Sequence, residues 1–339
     1  MNLSESALLA GLPRAPSIYS PFIDPGLANR RRDQVLREMY SQQYISKSEY
    51  DKSIGEKLEI VPPTTNIRAP HFVMFTRTEL ENEYGTKKVE EEGFEVVTSL
   101  DLTIQKEVER FLCEEVAKLK SQNASNGAVV VMDPQTGQLL AMAGSVDYFR
   151  EGYGAFNVAT ALRQPGSTLK PMLYSMALQN GFTAATRIDD SPIMFGNPGG
   201  KAYMPVNYDR RYHGSVPIRY ALGNSYNIPA VKVLNILGVQ EFVDYARQMG
   251  VDSWDDSSRF GLSLALGGGE VSLLDLVQIY SAFANGGYRV EPTPFIEILD
   301  NAGEEVSRVA SSKTRVMSDD VAYIISNILS DNVARTQAF

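Results

Sequence analysis

The feature that most constrains the fold is a densely apolar stretch that begins directly after Pro165-Gly166. Its apolar residues are spaced by one, three or four positions and are Leu169, Met172, Leu173, Met176 and Ala177. This spacing puts them on one face of an α-helix, and their density is typical of a helix that is buried. A buried helix needs other elements packed around it, so we expect this helix at the centre of a domain core.

Composition and charge narrow the class of protein. The chain has 339 residues, of which 43% are hydrophobic and 22% charged, close to an average globular protein. Its formal net charge of −9 argues against nucleic acid as a partner, because a chain with net negative charge repels phosphates. The one basic cluster, Arg30 to Arg32, lies in a helical pattern, and we interpret it as a solvated helix face.

Cysteine and histidine are scarce. Cys113 is the only cysteine, which excludes an intrachain disulfide and a cysteine-rich metal site. The only histidines are His71 and His213, and His213 stands in a turn with no evident partner, so neither a metal site nor a Ser-His-Asp triad is indicated. No run of about 18 apolar residues and no signal peptide is found. Taken literally, these two observations describe a cytosolic chain. The motifs below oppose that interpretation.

Periodicity divides the chain into a helical region over 1–60, a linker region over 61–120 and a larger region over 121–339. Helical patterns in the first region stand at 4–10, 26–42 and 46–57. We expect Ser4 to cap the first of these helices, and Ser46 with Glu49 to form a capping box at the third. The linker region contains a strand pattern at 94–98 and a helical pattern at 103–120.

Turn and strand signals predict a sheet in the larger region. Apolar stretches at 127–132 and 138–143 flank a turn that contains Pro134 and Gly137, a pattern that predicts a β-hairpin. Further strand patterns stand at 288–291 and 295–299. Helical patterns fill most of the remainder, so we expect a sheet with helices on both sides.

Ser167 and Lys170 stand at the start of the buried helix. Free backbone N–H groups and the helix dipole favour negative charge at that position. Lys170 comes three residues after Ser167, so its side chain is expected on the same face, one turn away. A lysine in apolar surroundings is pushed toward its neutral form and can then accept a hydroxyl proton. The pair predicts a serine nucleophile activated without histidine, although a capping serine and a surface lysine would have the same pattern.

A second polar pair, Ser225 and Asn227, lies in a turn over 223–229. The Ser225 hydroxyl is suited to relay a proton to a leaving amine, and the Asn227 amide to hold a substrate amide and the lysine. Turns are commonly rich in asparagine and serine, so the pair by itself favours that simpler interpretation.

With their flanking residues, these motifs resemble the penicillin-binding protein family, which is characterised by Ser-x-x-Lys, Ser-Asp-Asn and Lys-Thr-Gly. The similarity covers nearly the whole chain, including GAVVVMDPQTGQLLAMAG (127–144), RQPGSTLKP (163–171), ALGNSYNIPAVKVL (221–234) and LALGGGEVSLLDLVQIYSAFANGG (264–287). Residues 5–21 and the helices after them look like the end of a family 51 glycosyltransferase domain, which marks the class A, bifunctional group. RYHGSVPIRYALGNSYN and ILSDNVARTQAF look like the penicillin-binding protein 1C group.

The resemblance implies a fold and a division into domains. The fold is the α/β transpeptidase fold shared with β-lactamases, a sheet flanked by helices. Residues 1–60 would be the end of the glycosyltransferase domain, 61–120 a linker region and 121–339 the transpeptidase domain.

Two motifs depart from the family pattern. The second motif is Ser-Tyr-Asn, and its middle residue varies among the larger members. The third, Lys-Thr-Gly, is not found, and we interpret the only Lys-Thr pair, Lys313-Thr314, as an unrelated polar stretch. In the family the third motif follows the segment that 331–339 matches and supplies one oxyanion donor. We expect Lys-Thr-Gly or Lys-Ser-Gly in the gene shortly after codon 339. We also expect the 339-residue chain alone to acylate weakly or not at all, since losing one oxyanion donor costs about 10²–10³ in rate.

The resemblance implies a peptidoglycan D,D-transpeptidase with Ser167 as nucleophile, Lys170 as base, and Ser225 and Asn227 as the second motif. Its partners would be stem peptides ending in D-Ala-D-Ala and glycan strands, with β-lactams as covalent inhibitors and with no cofactor or metal. The whole protein would also be a glycosyltransferase, anchored at the periplasmic face of the bacterial cytoplasmic membrane by an N-terminal part outside this sequence. Two alternatives stay open: a D,D-carboxypeptidase or β-lactamase, in which water accepts the acyl group, and a non-catalytic binding module.

Overall fold

The computed structural model of the chain describes residues 1–58, 60, 67–196 and 202–337. Contacts between residues divide the chain into two compact units, Met1–Ile67 and Arg68–Phe339. The predicted linker region over 61–120 falls partly outside the described residues, and the three-part division stays a prediction.

The first unit contains three α-helices in its described part: α1 (Leu3–Gly11), α2 (Pro25–Ser41) and α3 (Lys47–Gly55). The predicted capping box at α3 is confirmed, because the Ser46 side chain accepts from the N–H of Glu49 and the Glu49 side chain accepts from the N–H of Ser46. The predicted cap of α1 is wrong by two residues. Asn2 and Glu5 form the capping box there, and Ser4 lies inside the helix with its side chain buried.

The basic cluster on α2 also differs from the prediction. Arg30 is exposed, but Arg32 is only 5% exposed and therefore does not lie on a solvated face. Its guanidinium donates to the Ser4 hydroxyl and to the backbone carbonyls of Ile54 and Glu56, and it pairs with Asp33. Arginine has five donors in a planar fork, so one side chain can bond to all three helices of this unit.

The second unit is larger and mixed. Its helices are α4 (Pro70–Tyr84), α5 (Thr86–Glu91), α6 (Leu102–Lys118), α7 (Lys170–Gln179), α8 (Ile218–Gly223), α9 (Asn227–Leu237), α10 (Val239–Gln248), α11 (Leu273–Ala284), α12 (Asp319–Ser330) and α13 (Asn332–Arg335). Its strands are β1 (Glu95–Thr98), β2 (Val129–Met132), β3 (Leu139–Ala143), β4 (Arg187–Asp190), β5 (Gly214–Pro217), β6 (Tyr288–Val290), β7 (Phe295–Leu299), β8 (Glu305–Arg308) and β9 (Lys313–Arg315). Within the described ranges, no helix is both long and apolar enough to span a lipid bilayer.

The strands pair in four antiparallel groups across the described part of the unit: β1-β7-β8, β2-β3, β4-β5 and β6-β9. The predicted hairpin is therefore confirmed as β2-β3, with Val129 opposite Ala143. Lys313-Thr314, interpreted as a polar stretch unrelated to the third motif, lies in the short exposed strand β9, opposite β6. The Lys313 ammonium there contacts the Gln135 side chain at 3.5 Å.

Helices flank the β2-β3 hairpin, as expected for an α/β domain. Gln105 of α6 is buried and bonds both the N–H and the carbonyl of Met142 in β3, at 2.9 and 3.1 Å. Phe72 of α4 packs with Leu139 and Met142 in one cluster, which Leu273 and Leu274 of α11 also contact. The mixed order and the sheets flanked by helices confirm the predicted fold class.

Helix α7 is the centre of the core, as its apolar spacing predicts. All residues from Lys170 to Leu178 are buried, and they pack in one cluster with side chains from α9, α10, α11 and α12. Burying one leucine or methionine side chain contributes about 1.5–3 kcal/mol, so the buried apolar side chains of this helix stabilise the unit by several kcal/mol. One detail differs from the prediction. Ser167 precedes α7, in a single 3₁₀ turn over Gly166–Leu169.

Candidate active site

Ser167 lies in the 3₁₀ turn that leads into α7, and its side chain is exposed. Residues three apart in a 3₁₀ turn are nearly eclipsed, and the N–H of Lys170 donates to the carbonyl of Ser167. Ser167 and Lys170 are therefore joined by a tighter turn than expected. No hydrogen bond joins their side chains among the described residues, so the common face stays a prediction. Among the described residues, the Ser167 hydroxyl has no hydrogen-bond partner, which leaves it available to a substrate.

Three contacts hold this turn in place. The backbone of Arg163 pairs with Val271 through two hydrogen bonds of 2.9 Å. Tyr280 of α11 donates from its hydroxyl to the carbonyl of Thr168 at 3.0 Å. Gly267 packs so closely that a Cβ on it would lie 2.3 Å from the nitrogen of Gly166, which is too close for any side chain. The glycine-rich loop over 267–269 therefore supports the turn that contains Ser167 through close backbone packing.

Lys170 is the first residue of α7 and is only 1% exposed. Its Nζ donates to the carbonyl of Ser225 at 2.5 Å, to the Ser225 hydroxyl at 3.1 Å and to Oδ1 of Asn227 at 2.7 Å. The structure thus brings three of the four predicted site residues into direct contact, across more than fifty positions of sequence. Burial lowers the pKa of the Lys170 ammonium from 10.5 to about 7.

Ser225 reaches Lys170 because of the way α8 ends. The N–H of Tyr226 donates to the carbonyl of Ala221, and the N–H of Ser225 to that of Leu222, which together form a Schellman motif. Its left-handed position is usually glycine, yet here it is Ser225, with φ of +56°. A side chain in this conformation costs roughly 1–2 kcal/mol, and backbone strain of this kind is concentrated at functional sites.

Asn227 is the first residue of α9, and its side-chain amide contacts the Val206 carbonyl and the Lys170 amine. Its Nδ2 donates to the backbone carbonyl of Val206 at 2.8 Å. A carbonyl can only accept, so the other end of the amide, Oδ1, must face Lys170. The amide is therefore held in the one orientation that can accept a hydrogen bond from the lysine.

Three residues behind Asn227 were not predicted: Asp190, Asn207 and His213. Asp190 and Asn207 are buried and bonded to each other, and His213 bonds to Asp190 at 2.7 Å. The expectation that His213 has no partner is wrong, because its ring also lies 3.1 Å from Asp209 and stacks on Tyr226 with 4.0 Å between centroids. Asp190, Asn207 and His213 lie outside the Ser-x-x-Lys motif and the second motif, and only the fold brings them to Asn227.

The contacts around Lys170 define what the site can do chemically. A charged Nζ has three N–H donors, which match the three acceptors in contact with it. A neutral Nζ has two donors and one lone pair, and of its partners only the Ser225 hydroxyl can also donate. The Lys170–Ser225 hydrogen bond can therefore reverse its direction when the lysine gains or loses a proton. In the part of the chain that the structure describes, no three histidine, cysteine or acidic side chains form a candidate metal site.

Comparison with known proteins identifies similar sequences and structures. Residues 127–338 match the family model of the penicillin binding protein transpeptidase domain. Penicillin-binding protein 2D of Bacillus subtilis is 33% identical over 337 residues, which cover 96% of this chain and 47% of that protein. Penicillin-binding protein 1F of the same bacterium is 32% identical and also matches over 47% of its length. The chain thus spans about half the length of these curated relatives. Since they bear other names, the finer assignment to the 1C group stays a prediction.

Solved structures share the fold. The crystal structure of penicillin-binding protein 1A from Haemophilus influenzae superposes with a TM-score of 0.78 at 23% identity, covering 98% of this chain and 68% of that chain. PonA1 from Mycobacterium tuberculosis, solved in complex with penicillin V, superposes with a TM-score of 0.64 at 20% identity over 77% of this chain and 70% of that chain. At such identities these structures bear on the fold alone. The family model matches more than half of the chain, and this chain therefore belongs to the penicillin-binding protein family through its transpeptidase domain.

Proposed function

We propose that this chain carries the acyl-transfer site of a peptidoglycan D,D-transpeptidase, with Ser167 as nucleophile and Lys170 as base. The observation that carries the proposal is the buried Lys170 amine, which has a pKa lowered to about 7 and lies against Ser225 and Asn227. A base with a pKa near the working pH is half neutral there and accepts a proton efficiently. Membership of the family supports the reaction class, and the PonA1 complex with penicillin V supports β-lactams as ligands.

The proposed reaction has two steps. The Ser167 hydroxyl oxygen attacks the carbonyl carbon of the penultimate D-Ala, and its proton passes to the neutral Nζ of Lys170. The carbon–nitrogen bond to the terminal D-Ala then breaks, and the leaving amine takes a proton from the Ser225 hydroxyl, which Lys170 replaces. In the second step an amine of another stem peptide attacks the Ser167 ester. That amine loses a proton, and the Ser167 oxygen regains one as it leaves.

The whole protein would have a second activity in addition to acyl transfer. The similarity of residues 5–21 to the end of a glycosyltransferase domain supports a second activity, polymerisation of glycan strands, in the same protein. Stem peptides and glycan strands would then be its partners. This activity would place it at the periplasmic face of the cytoplasmic membrane, with an anchor in a part of the protein that precedes these residues.

Labelling with a fluorescent penicillin tests the assignment of the nucleophile. In the full gene product we expect one covalent label that Ser167→Ala abolishes and Lys170→Met reduces by at least about 10²-fold, the lower range for loss of a general base. Ser311→Ala, at an exposed serine on the surface, is the matched control and should label like the wild type. Labelling that survives Ser167→Ala would refute the assignment.

A further inference from the structure

Behind the candidate site lies a buried carboxylate that none of the three family motifs contains. Asp190 ends strand β4 and is 0% exposed. Its two oxygens accept from Nδ2 of Asn207 at 2.9 and 2.8 Å. One of them also accepts from the N–H of His213 at 3.0 Å and contacts the His213 ring at 2.7 Å. A buried carboxylate without partners is costly, and these four contacts make Asp190 a well-satisfied, fixed acceptor.

Asn207, 2% exposed, can adopt only one orientation. Its Oδ1 accepts from the backbone N–H of Asn227 at 2.8 Å, and its Nδ2 donates to the backbone carbonyl of Arg211 at 2.8 Å. A backbone N–H only donates and a backbone carbonyl only accepts, so both ends of the amide are assigned without ambiguity. Asp190 completes this arrangement by accepting from the same Nδ2.

The bond from Asn207 to Asn227 is a helix cap supplied from another part of the chain. Helix α9 has no side-chain cap of its own, because Tyr226 stands at its N-cap position. Oδ1 of Asn207 takes over this function and accepts from the N–H of Asn227 at 2.8 Å and, more weakly, from that of Ile228 at 3.3 Å. The neighbouring Val206 carbonyl accepts from the Asn227 side chain. Both the backbone and the side chain of Asn227 are therefore bound by one two-residue segment.

We propose that Asp190 and Asn207 are positioning residues for the acyl-transfer reaction. Asp190 orients Asn207, Asn207 holds the start of α9, and α9 presents the Asn227 amide to Lys170. Neither side chain bonds to Lys170 or Ser167 in the described chain, so they act through Asn227. The inference rests on the proposed function for its effect on rate, whereas the cap itself can be tested without any activity.

Two readouts on the full gene product test the proposal with Asn207→Ala and Asp190→Asn. The first is the limiting acylation rate constant with a fluorescent penicillin, separated by stopped flow from the dissociation constant of the non-covalent complex. We expect the rate constant to fall by about 10–100-fold while the dissociation constant changes by less than about twofold, since a displacement of about 1 Å costs up to about 10² in rate. The second is hydrogen exchange at Asn227 and Ile228, which should become faster in Asn207→Ala.

A control separates positioning from general damage. Tyr174→Phe is the matched control. Tyr174 is buried, its hydroxyl has no partner among the described residues, and burial, with a smaller contribution from the charge of Asp190, raises its pKa. This variant should acylate at the wild-type rate.

Several results would overturn the proposal. Unchanged exchange at Asn227 in Asn207→Ala would show that Asn207 does not hold α9. Faster exchange with an unchanged acylation rate would show that the cap has no catalytic consequence. If Asp190→Asn does not accumulate as folded protein, Asn207→Ala alone decides the question by both readouts. Wild-type protein that takes no label would refute the proposed function instead, and the exchange result would still decide whether Asn207 positions Asn227.

Discussion

Lys170 is the residue on which the candidate site depends. The sequence pattern predicts that it shares a face with Ser167, and the buried helix around it predicts a lowered pKa. Both expectations rest on local spacing and on apolar neighbours, which are visible in sequence. The structure adds the partners that hold Nζ, namely Ser225 and Asn227. Hydrogen bonds to three acceptors hold the Lys170 amine in one position. Its burial lowers its pKa to about 7, so the amine can still lose its proton near neutral pH.

The lowered pKa of Lys170 predicts how acylation depends on pH. Below about pH 7 the amine is protonated and cannot accept the Ser167 proton, so the acylation rate should fall about tenfold per pH unit. Above that value the rate should level off, because the neutral form is already dominant. The measurement is the second-order acylation rate constant with a fluorescent penicillin between pH 5 and 9, with the melting temperature followed as a control for unfolding. A profile that is flat through pH 7 would contradict the role of Lys170 as base.

At the scale of elements, two helix ends build the second motif. Helix α8 ends in a Schellman motif with Ser225 at the left-handed position, and α9 begins two residues later at Asn227. The αL turn directs the Ser225 carbonyl and hydroxyl to Lys170, and the start of α9 directs the Asn227 amide to the same atom. The spacing of the motif therefore reflects a helix–turn–helix geometry.

This geometry predicts that replacing Ser225 by glycine lowers activity but costs less stability than replacing it by alanine. Ser225→Gly removes the hydroxyl but relieves the strain of φ +56°, whereas Ser225→Ala removes the hydroxyl and keeps the strain. Both variants should lose about 10²-fold or more in acylation rate, the range for loss of a general acid. The glycine variant should be more stable than the alanine variant by about 1 kcal/mol. Denaturant unfolding of the two variants measures this difference, and equal stability would argue against strain at this position.

At the scale of the whole molecule, the same burial that lowers the pKa of Lys170 affects the stability of the fold. The lysine amine has a pKa of 10.5 when exposed and about 7 in the folded protein, so the unfolded chain binds one more proton between these values. Stability then rises with pH in this interval, because folding releases this proton and the free-energy cost of that release falls as the pH rises. Below about pH 7 both states are protonated, and this contribution no longer depends on pH.

The linkage predicts a measurable difference between wild type and Lys170→Met. Between pH 7 and pH 9 the free energy of unfolding of the wild type should rise by about 2 kcal/mol more than that of the variant, since one proton corresponds to about 1.4 kcal/mol per pH unit. Lys118→Met, at an exposed lysine whose pKa is raised by its hydrogen bond to Glu115, is the control and should follow the wild-type slope. Parallel curves for wild type and Lys170→Met would show that Lys170 stays charged in the folded protein over this pH range, which would contradict the lowered pKa.

The parts of this protein that follow from sequence are those set by local chemistry. The apolar spacing after Pro165-Gly166 is enough to predict the buried helix α7, and the turn over 133–137 is enough to predict the β2-β3 hairpin. The Ser46–Glu49 capping box is likewise a matter of four consecutive residues. Each of these signals acts within one or two turns of the chain, where the backbone itself brings the residues together.

What only the tertiary structure decided are the contacts between distant segments. Arg32 is buried because three helices meet around it, and no local pattern distinguishes it from the exposed Arg30. The sequence alone determined which residues of the motifs are suited to acyl transfer. Only the fold decided that Lys170 faces Ser225 and Asn227, and that Asp190 and Asn207 lie behind them, because a hydrogen bond depends on ångström distances that sequence separation does not specify.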